Sequence, residues 1–118
     1  MARVLIADDA AIVRMVIGEM LRRGGHEVAG EAGTGEAAVR LHAELDPDVA
    51  IIDVNMPGDG ITAATRIRES NAHTKLIIMS VLAGSPTRLA AAEQLRASYI
   101  AKPFEESELL SAVAEALA

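Results

Sequence analysis

At 118 residues, 51% of them hydrophobic, the chain carries enough apolar side chains for one core and not two, so residues 1–118 read as a single domain. Tyr99 and Phe104 are the only aromatics, which makes that core aliphatic and removes the stacking platforms that single-stranded nucleic acid needs. Seventeen acidic against eleven basic residues leave a formal charge of −6, which repels nucleic acid and anionic membrane surfaces alike.

Apolar runs of strand length alternate with stretches of helical period, the pattern of a parallel sheet covered by helices on both faces. The first strand, Val4-Leu5-Ile6-Ala7, meets acid at Asp8, too soon for the apolar stretch of a signal peptide. No later run approaches the ~18 apolar residues of a membrane span. With no cysteine as well, the chain reads as a cytoplasmic protein. Ile12, Val13, Val16, Ile17, Met20 and Leu21 then form one helical stripe, ended by Gly24-Gly25. Asp9 is the expected N-cap of that helix. If the stripe is buried, Ala11, Met15, Gly18 and Arg22 face solvent as a docking surface for a partner helix.

Val28-Ala29 reads as an edge strand because its surroundings are polar. The glycines between Gly30 and Gly35 are better explained by turns than by phosphate binding, since no lysine stands where a nucleotide loop needs one. The second helix starts after Thr34, carries Ala38, Leu41 and Leu45, and closes at Asp46-Pro47. Val49-Ala50-Ile51-Ile52 and Leu76-Ile77-Ile78-Met79 are strands buried on both faces, with a helix marked by Ile61, Ala64 and Ile67 between them. Ser85-Pro86 supplies an N-cap and first-turn proline for a fourth helix with a weak stripe, Leu89 and Ala92. Tyr99-Ile100-Ala101 is the fifth strand. Leu109, Leu110, Val113 and Leu117 stripe the fifth helix, and Glu105, Glu106 and Glu108 suit the positive end of its dipole. His26, His42 and His73 share no spacing that would cluster them and default to the surface.

Ligands of an open parallel sheet bind outside the carboxyl ends of its strands. The first strand ends in Asp8-Asp9, the third in Asp53, the fourth in Ser80, and the fifth runs into Lys102-Pro103. Three carboxylates, a hydroxyl and an ammonium thus share one crevice. Taken singly, each residue is explained by a cap, a turn or a solvated charge; taken together, they compose a phosphoryl site. Crowded carboxylates call for a cation, and an all-oxygen set suits Mg²⁺, which keeps waters and leaves one carboxylate free to attack phosphorus. Lys102 and Ser80 would hold the remaining phosphoryl oxygens.

These residues resemble the receiver domain of two-component response regulators along essentially the whole chain. The resemblance rests on Val4-Leu5-Ile6-Ala7-Asp8-Asp9, on Asp53 followed by Met56-Pro57, on Ser80, and on Tyr99 with Lys102-Pro103-Phe104. It implies a flavodoxin-like, doubly wound α/β fold with strand order 2-1-3-4-5 and five helices. It also implies a signalling switch in which Asp53 takes a phosphoryl group from a histidine kinase or phosphotransfer protein. Asp8, Asp9, Asp53 and the backbone carbonyl of Asn55 would bind Mg²⁺, with Asp8 acting mainly through water. Lys102 would pair with the phosphoryl oxygens across a cis Lys102-Pro103 bond, while Ser80 and Tyr99 would relay the change to the surface of helix 4, strand 5 and helix 5. A target protein or fused effector domain would read that surface, and a phosphorylation-dependent homodimer is a further partner to expect. On this reading the chain is not an enzyme beyond catalysing its own phosphorylation and dephosphorylation. The alternative is an aspartyl-nucleophile phosphatase, which typically wants a second acid where Asn55 stands. Three features depart from the family pattern: a shortened Met56-Pro57-Gly58-Asp59-Gly60 loop, Val81 in place of a small residue, and Arg96-Ala97 in place of Gly-Ala. They bear on the start of helix 3, the room beside the phosphoryl group, and the end of helix 4.

Overall fold

The computed structural model describes residues 1–81 and 86–118. Five strands, β1 (Arg3–Ala7), β2 (Glu27–Ala32), β3 (Val49–Asp53), β4 (Lys75–Ser80) and β5 (Ser98–Ala101), form one parallel sheet in the order β2-β1-β3-β4-β5. The helices are α1 (Ala11–Arg23), α2 (Gly35–Leu45), α3 (Gly60–Ser70), α4 (Pro86–Gln94) and α5 (Glu106–Leu117). This is the expected fold and strand order, with β2 at one edge.

Side chains alternate across a pleated strand, so β1, β3 and β4 feed two separate cores. Val4, Ile6, Val49, Ile51, Ile77 and Met79 pack with Ile17 and Leu21 of α1 and with Leu109 and Val113 of α5. Leu5, Ala7, Ala50, Ile52, Leu76 and Ile78 point the other way, onto Ala38 of α2, Ala64 and Ile67 of α3, and Ala92 of α4.

The termini of the helices follow local chemistry. The Thr34 hydroxyl accepts from the Ala37 N–H at 3.1 Å, and Asp46 closes α2 in the left-handed region at φ 46°. Gly25, at φ 85°, ends α1 while the N–H groups of Gly25 and His26 return to the carbonyls of Arg22 and Leu21. Arg96 makes the same left-handed turn after α4 at φ 55° without being glycine, with Arg96 N–H on Glu93 and Ala97 N–H on Ala92. The departure from Gly-Ala therefore leaves the stop intact. Asp59 caps α3, and Gly60 lies so close to the Asp53 carbonyl that no Cβ fits between them. The short loop is accommodated by this approach. The proposed Ser85 cap lies outside the described residues.

Several expectations need correction. Asp9 does not cap α1; the N-cap is Ala10, whose N–H donates to Asp8 Oδ1 at 2.9 Å. Ile12 and Val16 are exposed, whereas Gly18 is buried against Val28, because α1 turns its small residue toward the sheet edge. Leu89 of α4 and Leu117 of α5 are also exposed. Val81, just after β4, is exposed.

His42 is the clearest exception to the surface assignment of the histidines: it is 5% exposed and shares a 2.8 Å hydrogen bond with the buried Thr74 hydroxyl. Burial lowers its pKa from the ordinary 6.5. Below about pH 6.5 the unfolded chain therefore binds a proton that the folded chain refuses, and stability falls as pH drops. Urea unfolding between pH 7.5 and 5.5 is expected to show this loss, and His42→Gln to flatten the slope.

Candidate functional site

The carboxyl ends of β1, β3, β4 and β5 converge, because in-register parallel strands finish along one edge. Asp8 and Asp53 are almost fully buried, at 1% and 4% exposure, and Asp9 faces solvent. One carboxylate oxygen from each of the three lies within 4.8 Å of the others. Lys102, partly buried after β5, places Nζ 2.6 Å from Asp8 Oδ2 and 3.5 Å from Asp53 Oδ2. Its backbone N–H donates to the Ser80 carbonyl at 2.8 Å, and its peptide bond to Pro103 is cis, as expected.

Loop bonds fix the two buried acids. Arg14 donates to the Asp8 carbonyl at 2.6 Å while its Nε bonds Glu31 at 3.2 Å, tying the β1–α1 turn to β2. The Asn55 N–H donates to Asp53 Oδ1 at 3.3 Å. Burial pushes the Asp53 pKa up from 3.8; Lys102 pulls it down, and Asp8 adds to the rise. The site thus holds a buried carboxylate whose charge is only partly compensated by protein.

Such a donor set fits a hard divalent cation: three close carboxylate oxygens with excess negative charge, and Asp9 open to water. Ser80 is fully buried at the end of β4. Tyr99 is half-buried on the α2–α4 side of the sheet, against the core cluster of that face. All the residues singled out from the sequence except Tyr99 meet at this edge.

One residue at the site escaped sequence reasoning. Arg88 of α4 donates through Nη1 to Ser80 Oγ at 2.9 Å and through Nη2 to Asn55 Oδ1 at 3.2 Å. In sequence it is one charge in the least patterned helix, and no spacing ties it to a strand end. Beside the site, Ile12, Val13, Val16, Ile17 and Met20 of α1 line a groove of about 420 Å³ with Val81, Lys102, Pro103 and Phe104.

The fold and this acidic edge define a class, the phosphorylation-linked signalling switches built on a flavodoxin-like sheet. Residues 4–114 match the response regulator receiver domain family, and the chain belongs to it. Receiver domains act in two-component systems as switches rather than as classical enzymes. The chain is 37% identical to a chemotaxis protein CheY of Thermotoga maritima over 94% of its own length and 93% of that protein's. It is 40% identical to the transcriptional regulatory protein PdtaR of Mycobacterium tuberculosis, again over 94% of itself but only 54% of that protein. Among solved structures, a two-component response regulator of the LuxR family from an Aurantimonas species superimposes with a TM-score of 0.90 at 32% identity, over 99% of this chain and 85% of that one. No helix among the described residues is long and apolar enough to cross a membrane.

The raised pKa of Asp53 sets a stability prediction. Below its raised pKa the folded state holds a proton more tightly than the unfolded state, so ionisation at neutral pH opposes folding. In chelator at pH 7, Asp53→Asn is expected to unfold at higher urea than the wild type. The difference should shrink as pH falls toward 4 and when divalent cation is added to the wild type.

Proposed function

We propose that the chain is a phosphorylation-controlled switch whose Asp53 accepts a phosphoryl group from a phosphohistidine of a histidine kinase or phosphotransfer protein. The observation that carries this reading is the buried Asp53 carboxylate, next to Asp8 and Asp9 and 3.5 Å from Lys102. An Asp53 oxygen forms the new P–O bond as the donor's P–N bond breaks, and the electron pair leaves on the imidazole nitrogen, which takes up a proton. Lys102 turns from Asp8 toward the phosphoryl oxygens, and Ser80 donates its hydroxyl to another. Asp8, Asp9, Asp53 and the Asn55 carbonyl would hold Mg²⁺. When bound, Mg²⁺ offsets the negative charge that meets at the site.

Asn55 also weighs against the phosphatase reading. Its side-chain amide accepts from Arg88 and has no acidic proton to give a leaving group. Output would run from Ser80 through the following segment to α4, β5 and α5, with Tyr99 turning inward. Residues 82–85 of that route lie outside the described part of the structure. A target protein or fused effector domain would read the altered face, and phosphorylation-dependent pairing of two copies is a second use of it. The whole of residues 1–118 would form this one domain.

Incubation with acetyl phosphate and Mg²⁺ should add one phosphoryl group to the intact mass. Asp53→Asn, or excess chelator, is expected to abolish the gain. Equal labelling of the variant would overturn the assignment.

The donor would dock on α1. Exposed Ile12 and Val16 line the groove together with Lys102, and Met15 is exposed on the same helix, an apolar surface suited to a partner helix near the phosphoacceptor. Gly18, buried, has no part in it. Met15→Glu should slow transfer from a phosphorylated kinase by about tenfold, the effect of ~1.4 kcal/mol at an interface, while leaving acetyl phosphate labelling unchanged. Parallel loss of both would refute the docking role.

A further inference from the structure

Arg88 is the third residue of α4, yet its guanidinium reaches the strand ends and bonds two residues that flank the phosphoacceptor. Ser80 finishes the neighbouring strand, and Asn55 is bonded through its N–H to Asp53 Oδ1. Both acceptors of Arg88 are neutral: a hydroxyl oxygen and an amide oxygen. A guanidinium keeps its charge at all working pH values and carries five N–H donors in a planar fork. A phosphoryl oxyanion offers such a fork an opposite charge and a bidentate geometry that neutral oxygens do not. Arg88 thus lies beside the site on acceptors that an incoming phosphoryl group would outcompete.

We propose that Arg88 is a second cationic ligand of the phosphoryl group on Asp53, supplied by α4, through which occupancy of Asp53 acts directly on that helix. The proposal rests on the reading of Asp53 as phosphoacceptor and extends it to a residue outside the strand ends. Lys102 is carried by the connection after β5, which is bonded to the end of β4 and has little freedom to follow a ligand. Arg88 is carried by a helix in which Ala92 is the buried residue, so a pull on its side chain can move its support. The far end of α4 is tethered independently. Arg68 Nε donates to the Leu95 carbonyl at 2.8 Å, and its Nη1 donates to the Thr74 carbonyl at 2.8 Å. Attraction of Arg88 to the phosphoryl oxygens would therefore swing the N-terminal turn of α4 about a held C-terminal end. The Ser80 hydroxyl would donate to the phosphoryl group alongside Arg88, so the two contacts reinforce one another.

The test uses beryllofluoride as the phosphoryl probe, at saturating Mg²⁺, with the full chain as wild type, Arg88→Ala, Arg88→Gln and Arg88→Lys. Amide resonances report both affinity and the response of residues 89–93. The expected result is about tenfold weaker binding in the Ala and Gln variants, equivalent to ~1.4 kcal/mol, with most of the affinity kept by Lys. Loss of the α4 shifts in Ala and Gln should accompany it. If all four proteins bind equally and α4 responds equally, Arg88 is a surface bond and not a ligand. If Gln retains affinity while Lys loses it, hydrogen-bond shape rather than charge is at work and the proposal is overturned. Failure of the wild type itself to bind beryllofluoride and to be labelled by acetyl phosphate would overturn the phosphoacceptor reading instead, and this inference with it.

Discussion

Two buried carboxylates a few ångströms apart are tolerable only if a cation stands between them, and Lys102 is that cation. Its Nζ lies 2.6 Å from Asp8 and 3.5 Å from Asp53, both nearly out of water. Neither acid is local to the lysine in sequence, so the arrangement exists only while β1, β3, β4 and β5 end together. The sheet makes that possible by being aliphatic on both faces, which leaves its polar groups to its edge and ends. One lysine against two buried acids and exposed Asp9 leaves the cluster short of positive charge. Burial, with Asp8 adding to it, raises the pKa of Asp53, and the deficit of positive charge makes room for a divalent cation.

The two layers of helices are held to different degrees. Ile17 and Leu21 of α1 and Leu109 and Val113 of α5 share one apolar core with the sheet, and Arg23 joins Glu106 across the pair. On the other face α4 contributes Ala92, and polar bonds position it: Arg68 at its C-terminal side, Arg88 near its start. Hydrogen bonds to half-exposed groups are worth about 1 kcal/mol each, against roughly 2 kcal/mol or more for a buried leucine. An element placed by such bonds can be re-placed by a change in charge at the site. The weak stripe of α4 in the sequence and its lean packing in the structure have one cause.

The same division explains the apolar surface. Ile12, Met15 and Val16 remain exposed because α1 meets the sheet through Ile17, Gly18 and Leu21, a face rotated from the one that hydrophobicity alone selects. Gly18 lets α1 approach Val28 of the edge strand, and the larger apolar side chains turn outward toward the groove beside Lys102. Apolar groups left in water at the mouth of a site mark a contact surface.

Strand and helix order, the two-sided burial of β3 and β4, the caps at Thr34 and Gly24-Gly25, and the acids, hydroxyl and lysine of the strand ends were all legible in the sequence, because period, turn chemistry and strand-end position are local properties. What lay beyond it depended on which groups meet across the fold. A histidine that aligns with no other His was buried because Thr74, thirty-two residues away, offers it a hydrogen bond. The cap position assigned to Asp9 passed to Ala10, whose own N–H is held by the Asp8 carboxylate, and no side chain caps the helix. The α1 stripe rotated because a glycine permits closer packing on an edge strand than an isoleucine does. Arg88 joined the site because its side chain reaches from α4 to Ser80 at the end of β4 and to Asn55 just after β3, a distance measured in space and not along the chain. Periodicity records how apolar a residue is, whereas only the packed structure decides which polar groups compete for the same partner.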